Sequence, residues 1–270
     1  MTTHRPTETP RRIAVILGTG PSGRRLLDLV LPLLAHDRGV EMQGVFLEEA
    51  GLRHAAELPF VQELCRVTFS LREFNSDQFE RALMLRMRSA QRALSVLAKR
   101  TGVQHSFRNV RGPAHALLCE TARGADITVF EPVGIRSSAA AGQLLSAARP
   151  RRLAVAFTNL EAGRMALLAA AHLAENRNDP ISILVSPDVA RDRERLAALL
   201  REMLPGRTLR VRTVAAEAGA GGLVEATQAE GAALLVLTAT EELLESRNLQ
   251  LLREKVRCPI CLVRRWGQVS

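Results

Sequence analysis

Short apolar runs alternate with longer amphipathic stretches from residue 11 to residue 263. Residues 13–17 (Ile-Ala-Val-Ile-Leu) are largely β-branched and too short for a helix, which predicts a strand buried on both faces. A helix is expected over 22–36 and a second strand over 41–47. Residues 50–75, with Pro59, Phe60 and Phe69, read as a helical insert above the strand ends. The strongest helix signal covers 76–100. Phe79, Leu83, Met87, Ala90, Leu94 and Leu97 fall on one face, Asn75 and Gln78 stand at capping spacing, and Gly102 supplies a stop. Strands are expected over 105–111 and 126–130, around a helix over 114–123.

The pattern then starts again. Arg152-Leu153-Ala154-Val155 restates Arg12-Ile13-Ala14-Val15, and Gly163 restates Gly23. Strands are predicted over 153–157, 181–186, 209–214, 234–238 and 260–263. Helices are predicted over 163–174, 190–204, 223–230 and 241–256. Such alternation implies right-handed crossovers and parallel sheets covered on both faces. At 270 residues the chain exceeds the ~100–200 residues usual for one domain. The expectation is a disordered tail over 1–10, a first α/β unit over 11–148 carrying the 50–75 insert, and a second over 149–270. The second unit ends on its own strand. The first runs into Leu153 with no equivalent, so its sheet lacks a fifth strand.

Composition narrows the function. No apolar run approaches the ~20 residues that cross a bilayer, and no apolar signal segment follows the polar start. A cytoplasmic protein without membrane insertion is expected. The net charge of +9 is carried by arginine except at Lys99 and Lys255. The charges are spread along the chain, aromatics are 3% and tyrosine is absent, which argues against a nucleic-acid partner. Cys258-Pro259-Ile260-Cys261 has redox spacing but runs straight into an apolar strand, so it reads as a buried entry turn. His115 and Cys119, one helical turn apart, read as packing, and Asp126 as a solvated turn residue.

Gly18-Thr19-Gly20-Pro21-Ser22-Gly23 satisfies G-x-G-x-x-G between a strand and a helix. Glycines there let backbone approach a phosphate, and a helix start attracts anions. Arg24 and Arg25 stand where a P-loop needs Lys and a hydroxyl, which argues against a hydrolytic NTPase. Glu48 and Glu49 close the second strand and are candidates to reach a ribose. In the second unit only Gly163 survives, the glycine whose role is close helix–strand packing.

The layout resembles tandem universal stress proteins over about residues 11 to 265. The resemblance rests on Gly112 and Gly219 after the third strands, on Gly124-Ala125-Asp126-Ile127-Thr128-Val129, and on the ending Cys258-Pro259-Ile260-Cys261-Leu262-Val263. It implies two Rossmann-like α/β/α units of adenine nucleotide α-hydrolase-like fold, a dimer-like pairing of units, and a regulatory role. Members that bind ATP use an Asp after strand one and a glycine-rich loop after strand four. Here Gly18 and Thr158 replace the Asp. Glu131, Gly134 and Leu144 stand at the first unit's glycine positions, and Thr238 and Glu241 fall in the second unit's loop. The resemblance therefore implies a non-catalytic protein without a resident cofactor. ATP or AMP remains a candidate ligand of the first unit, through Gly18, Thr19, Gly20, Ser22, Gly23, Gly112 and Gly134. A protein partner or self-association is expected, with Leu58, Phe60, Val61, Leu64 and Phe69 either an anchor or packing over the sheet edge. The alternative is an NAD(P)-dependent oxidoreductase using the Gly18–Gly23 loop.

Overall fold

A computed structural model describes residues 11–18, 23–36, 39–58, 60–64, 69–133, 152–174, 179–207, 209–214, 219–245 and 247–266. The first half contains β1 (Arg11–Leu17), α1 (Gly23–His36), β2 (Val40–Glu49), α2 (Ala50–Glu57), β3 (Gln62–Leu64), β4 (Leu71–Glu73), α3 (Ser76–Thr101), β5 (Gln104–Gly112), α4 (Ala114–Gly124) and β6 (Ile127–Phe130). The second contains β7 (Leu153–Phe157), α5 (Leu160–Ala174), β8 (Ile181–Val185), α6 (Pro187–Arg191), α7 (Arg193–Met203), β9 (Leu209–Thr213), α8 (Gly219–Ala229), β10 (Leu234–Thr238), α9 (Glu241–Glu245), α10 (Arg247–Lys255) and β11 (Ile260–Val263). The tail expected over 1–10 lies outside the described residues.

The long helix α3 forms as its pattern demands. Asn75 accepts from the Gln78 amide at 2.9 Å, Gly102 closes the helix in a left-handed conformation, and Leu83, Leu94 and Leu97 are buried. The 50–75 stretch is not wholly helical. After α2 it forms a separate antiparallel hairpin, β3–β4, whose six residues are all exposed. The helix expected over 190–204 is divided, because Ser186 caps the short α6 and the backbone departs from helical geometry at Asp192.

Among the described residues, nine strands form one sheet in the order β5-β2-β1-β6-β11-β10-β7-β8-β9. Every neighbouring pair is parallel except β6–β11, where Phe130 stands opposite Ile260 and Ile127 opposite Val263. Each half therefore repeats the order third, second, first, fourth. Among the described residues the first half has no fifth strand, and β11 of the second half fills that place. The antiparallel seam turns the halves head to tail, so their strand C-termini open at opposite ends of the molecule.

Side chains fasten the seam. Asp126 is not a solvated turn residue: one carboxylate oxygen accepts from the Arg12 amide at 2.8 Å, the other meets Arg265 at 3.1 Å, and its carbonyl accepts from the Arg264 amide. Just past β11, Trp266 is buried and donates its indole N–H to His172 Nδ1 at 2.8 Å. Helices α1, α3, α5 and α7 cover one face, and α4, α8, α9 and α10 the other. The apolar layer under each face runs across the seam. A Cβ on Gly163 would stand 2.1 Å from the Phe157 ring, so glycine here lets α5 press onto β7.

Candidate functional site

In a doubly wound sheet, ligands lodge outside the strand C-termini where successive crossovers leave for opposite faces. The second half has such a point between β7, followed by α5 on one face, and β10, preceded by α8 on the other. A cavity of 340 Å³ opens there. Its walls include Phe157, Leu184, Leu223, Leu237 and Leu252, and its polar rim includes Thr158, Asp188, Thr240 and Glu242. Among the described residues no arginine, lysine or histidine lines it. The Thr238 hydroxyl is already donated to the Ala162 carbonyl, and the Ser186 hydroxyl to the Thr158 carbonyl at 3.2 Å.

The matching point of the first half lies between β1 and β6 and is crossed by the second half. The carbonyl of Arg253 on α10 accepts from the Val133 amide at 2.9 Å, just past β6. Its guanidinium pairs with Glu49 at the end of β2, on the far side of β1. Glu48 is buried and engages Arg53 at 2.9 Å and Arg111 at 3.0 Å. Both carboxylates that the sequence offered to a ribose are thus held in ion pairs. Nothing in the sequence signals Arg253, which meets Glu49 across 204 positions.

Gly18 and Gly23 do share a cavity, but it runs between α1 and α3. This groove of 420 Å³ is lined by Arg24, Arg86, Arg92 and Arg100 over a floor that includes Leu27 and Leu97, with Asp28 the one acidic group among its described lining. Gly18 is exposed, and a Cβ there would touch nothing within 4 Å, so crowding does not demand the glycine. Gly112 stands at the end of β5 with φ +154°, against Leu117 and away from the groove. Thr19, Gly20, Ser22 and Gly134 lie outside the described residues.

The remaining candidates among the described residues are three cysteines and His115. Burial pushes the Cys258 and Cys261 thiols up to about 12, far from the thiolate a redox pair needs. Cys119 donates to the Leu244 carbonyl at 2.9 Å, and burial raises its thiol as well. His115 Nε2 lies 3.7 Å from that sulfur, within reach of a hydrogen bond to it, and its buried Nδ1 has no partner among the described residues. Among the described residues no three His, Cys, Asp or Glu side chains are placed to hold a metal. No described helix is long and apolar enough to cross a membrane.

Comparison with solved structures finds likeness along nearly the whole chain. A universal stress protein from Archaeoglobus fulgidus is similar over 95% of this chain and 97% of its own, with 9% identity and a TM-score of 0.48. A functionally unknown protein from Pseudomonas aeruginosa is similar over 94% of this chain and 92% of its own, with 10% identity and a TM-score of 0.47. A universal stress protein solved in complex with cAMP is similar over 42% of this chain and 97% of its own, with 22% identity and a TM-score of 0.34. The family named among them is the universal stress proteins. No family model and no curated protein sequence matches the chain.

Proposed function

We propose that this chain is a tandem universal stress protein with a non-catalytic regulatory role, acting through protein partners, whose second half has lost ATP binding. The observation that carries the reading is the strand-end cavity of the second half. A triphosphate needs cations or free backbone N–H groups. The described lining instead offers two carboxylates, Asp188 and Glu242, and no basic group. In the first half Arg253 lies across the equivalent crevice, tied at both ends. The partner surface in this reading is the hairpin and the residues before it. Phe60 is 97% exposed and Phe69 78%, with Leu58, Leu64 and Leu71 beside them, so these side chains do not pack over the sheet edge.

A second reading has one observation in its favour. Gly18 and Gly23 meet four arginines in the α1–α3 groove, which suits an anion such as AMP or ATP in the first half alone. A thermal-shift series with ATP, AMP, NAD and NADP separates the readings. A ligand at a hundred times its dissociation constant adds about 2.7 kcal/mol, a visible shift. NAD and NADP are expected to leave Tm unchanged. Any shift with ATP or AMP is expected to vanish in the Arg24→Glu, Arg100→Glu double variant. A shift with NAD would favour the oxidoreductase, and an ATP shift that survives the double variant would contradict the loss of the strand-end sites.

A further inference from the structure

The second half's cavity has lost what a phosphate needs, yet it has not collapsed. Its 340 Å³ lies within the ~300–1,000 Å³ of ordinary small-molecule sites, and it sits at a switch point, where such sites form. Part-buried Val214, Ala220, Leu223 and Leu243 give it an apolar surface over a floor of fully buried Phe157, Leu184 and Leu252. Three of the four hydroxyls in its described lining serve the fold: Thr238 and Ser186 donate to carbonyls, and Thr240 accepts from the Leu243 amide at 3.2 Å. Charge at the mouth is acidic. Asp188 and Glu242, in the first turn of α9, are both exposed, and Asp188 pairs with the exposed Arg191 at 3.0 Å.

We propose that this cavity is a binding site for a small molecule with an apolar, ring-sized body and an uncharged or cationic polar end, and that it rejects anions. The apolar wall supplies the affinity by removing the ligand body from water. The carboxylates supply the selection, because an anionic ligand would bring like charge to the mouth of the site. The inference does not depend on a regulatory role or on the groove between α1 and α3.

The test uses two dyes that share one body. N-phenyl-1-naphthylamine is neutral, and 8-anilinonaphthalene-1-sulfonate adds a sulfonate. Fluorescence titration of the full chain is expected to show saturable, one-site binding of the neutral dye, with the sulfonate about tenfold weaker or worse. Ala220→Trp, which projects an indole into the cavity, is expected to weaken the neutral dye about tenfold with circular dichroism unchanged. Should that variant fold poorly, the exposed Glu242→Lys is expected to shift the ratio of affinities toward the sulfonate. Phe60→Ser with Phe69→Ser controls for dye on the hairpin and is expected to leave binding intact. Absent saturation, equal affinity for both dyes, an unmoved ratio in Glu242→Lys, or loss of binding in the hairpin variant would each overturn the proposal.

Discussion

Glu230 shows how one buried carboxylate is held in a basic chain. It accepts from the Ser182 hydroxyl at 2.8 Å and faces Arg152 at 3.5 Å, Arg212 at 3.4 Å and Arg210 at 3.8 Å. Desolvation alone would raise its pKa. The Ser182 and Arg212 hydrogen bonds and the charges of Arg210 and Arg152 outweigh that and hold it below the usual carboxylate range. A carboxylate depressed by folding stabilises the fold at pH values above its unfolded pKa, and that stability is lost as pH falls through its folded pKa. Glu230→Gln is therefore expected to cost about 1–2 kcal/mol at pH 7 in denaturant melts. The gap to the parent should close as pH drops below about 4. A gap that stays constant down to pH 3 would show that the ion cluster contributes nothing. The sequence gives no hint of this cluster, because Arg152, Ser182, Arg210 and Glu230 come from four separate stretches of the chain.

At the scale of elements, two substitutions separate packing from conformation. Gly163→Ala places a methyl group against the Phe157 ring and is expected to destabilise by about 1–3 kcal/mol, whereas Gly18→Ala meets open space and is expected to leave stability unchanged. Thermal melts of the two variants check the pair, and equal losses would contradict the division of roles. In the hairpin segment, Phe60 has φ +70° and Phe69 φ +53°, a conformation that bulky side chains rarely hold. Phe60 is almost fully exposed, so Phe60→Gly removes little packing and relieves that backbone. It is expected to raise stability by about 0.5–1 kcal/mol, and a comparable loss would mean that the ring packs on the protein after all. The strands were legible because apolar runs of four or five residues are too short for a helix; those over 153–157, 234–238 and 260–263 form as expected. The hairpin was not, since the positive-φ positions ahead of its two strands are Phe60 and Phe69 rather than Gly or Asn. The division between α6 and α7 was hidden because one apolar face continues through Val189, Leu196 and Leu200.

For the whole molecule, the deciding feature is the antiparallel seam. Periodicity identifies β6 and β11 as strands and shows that the first half lacks a fifth, but no local pattern says that one half lends its last strand to the other. The seam sends the two strand-end crevices to opposite ends and carries Arg253 over the first of them. The sequence pointed to the loss of phosphate-binding glycines in the second half. It did not reveal that an acid-rimmed cavity stays open there, because Phe157, Leu223 and Leu252 meet only after three crossovers fold. Photolabelling with 8-azido-ATP, followed by peptide mapping, tests the central claim most directly. Any label is predicted on peptides of the α1–α3 groove, such as those carrying Arg24 or Arg86, and none on peptides carrying Thr158 or Thr238. Competable label at Thr158 or Thr238 would contradict the account.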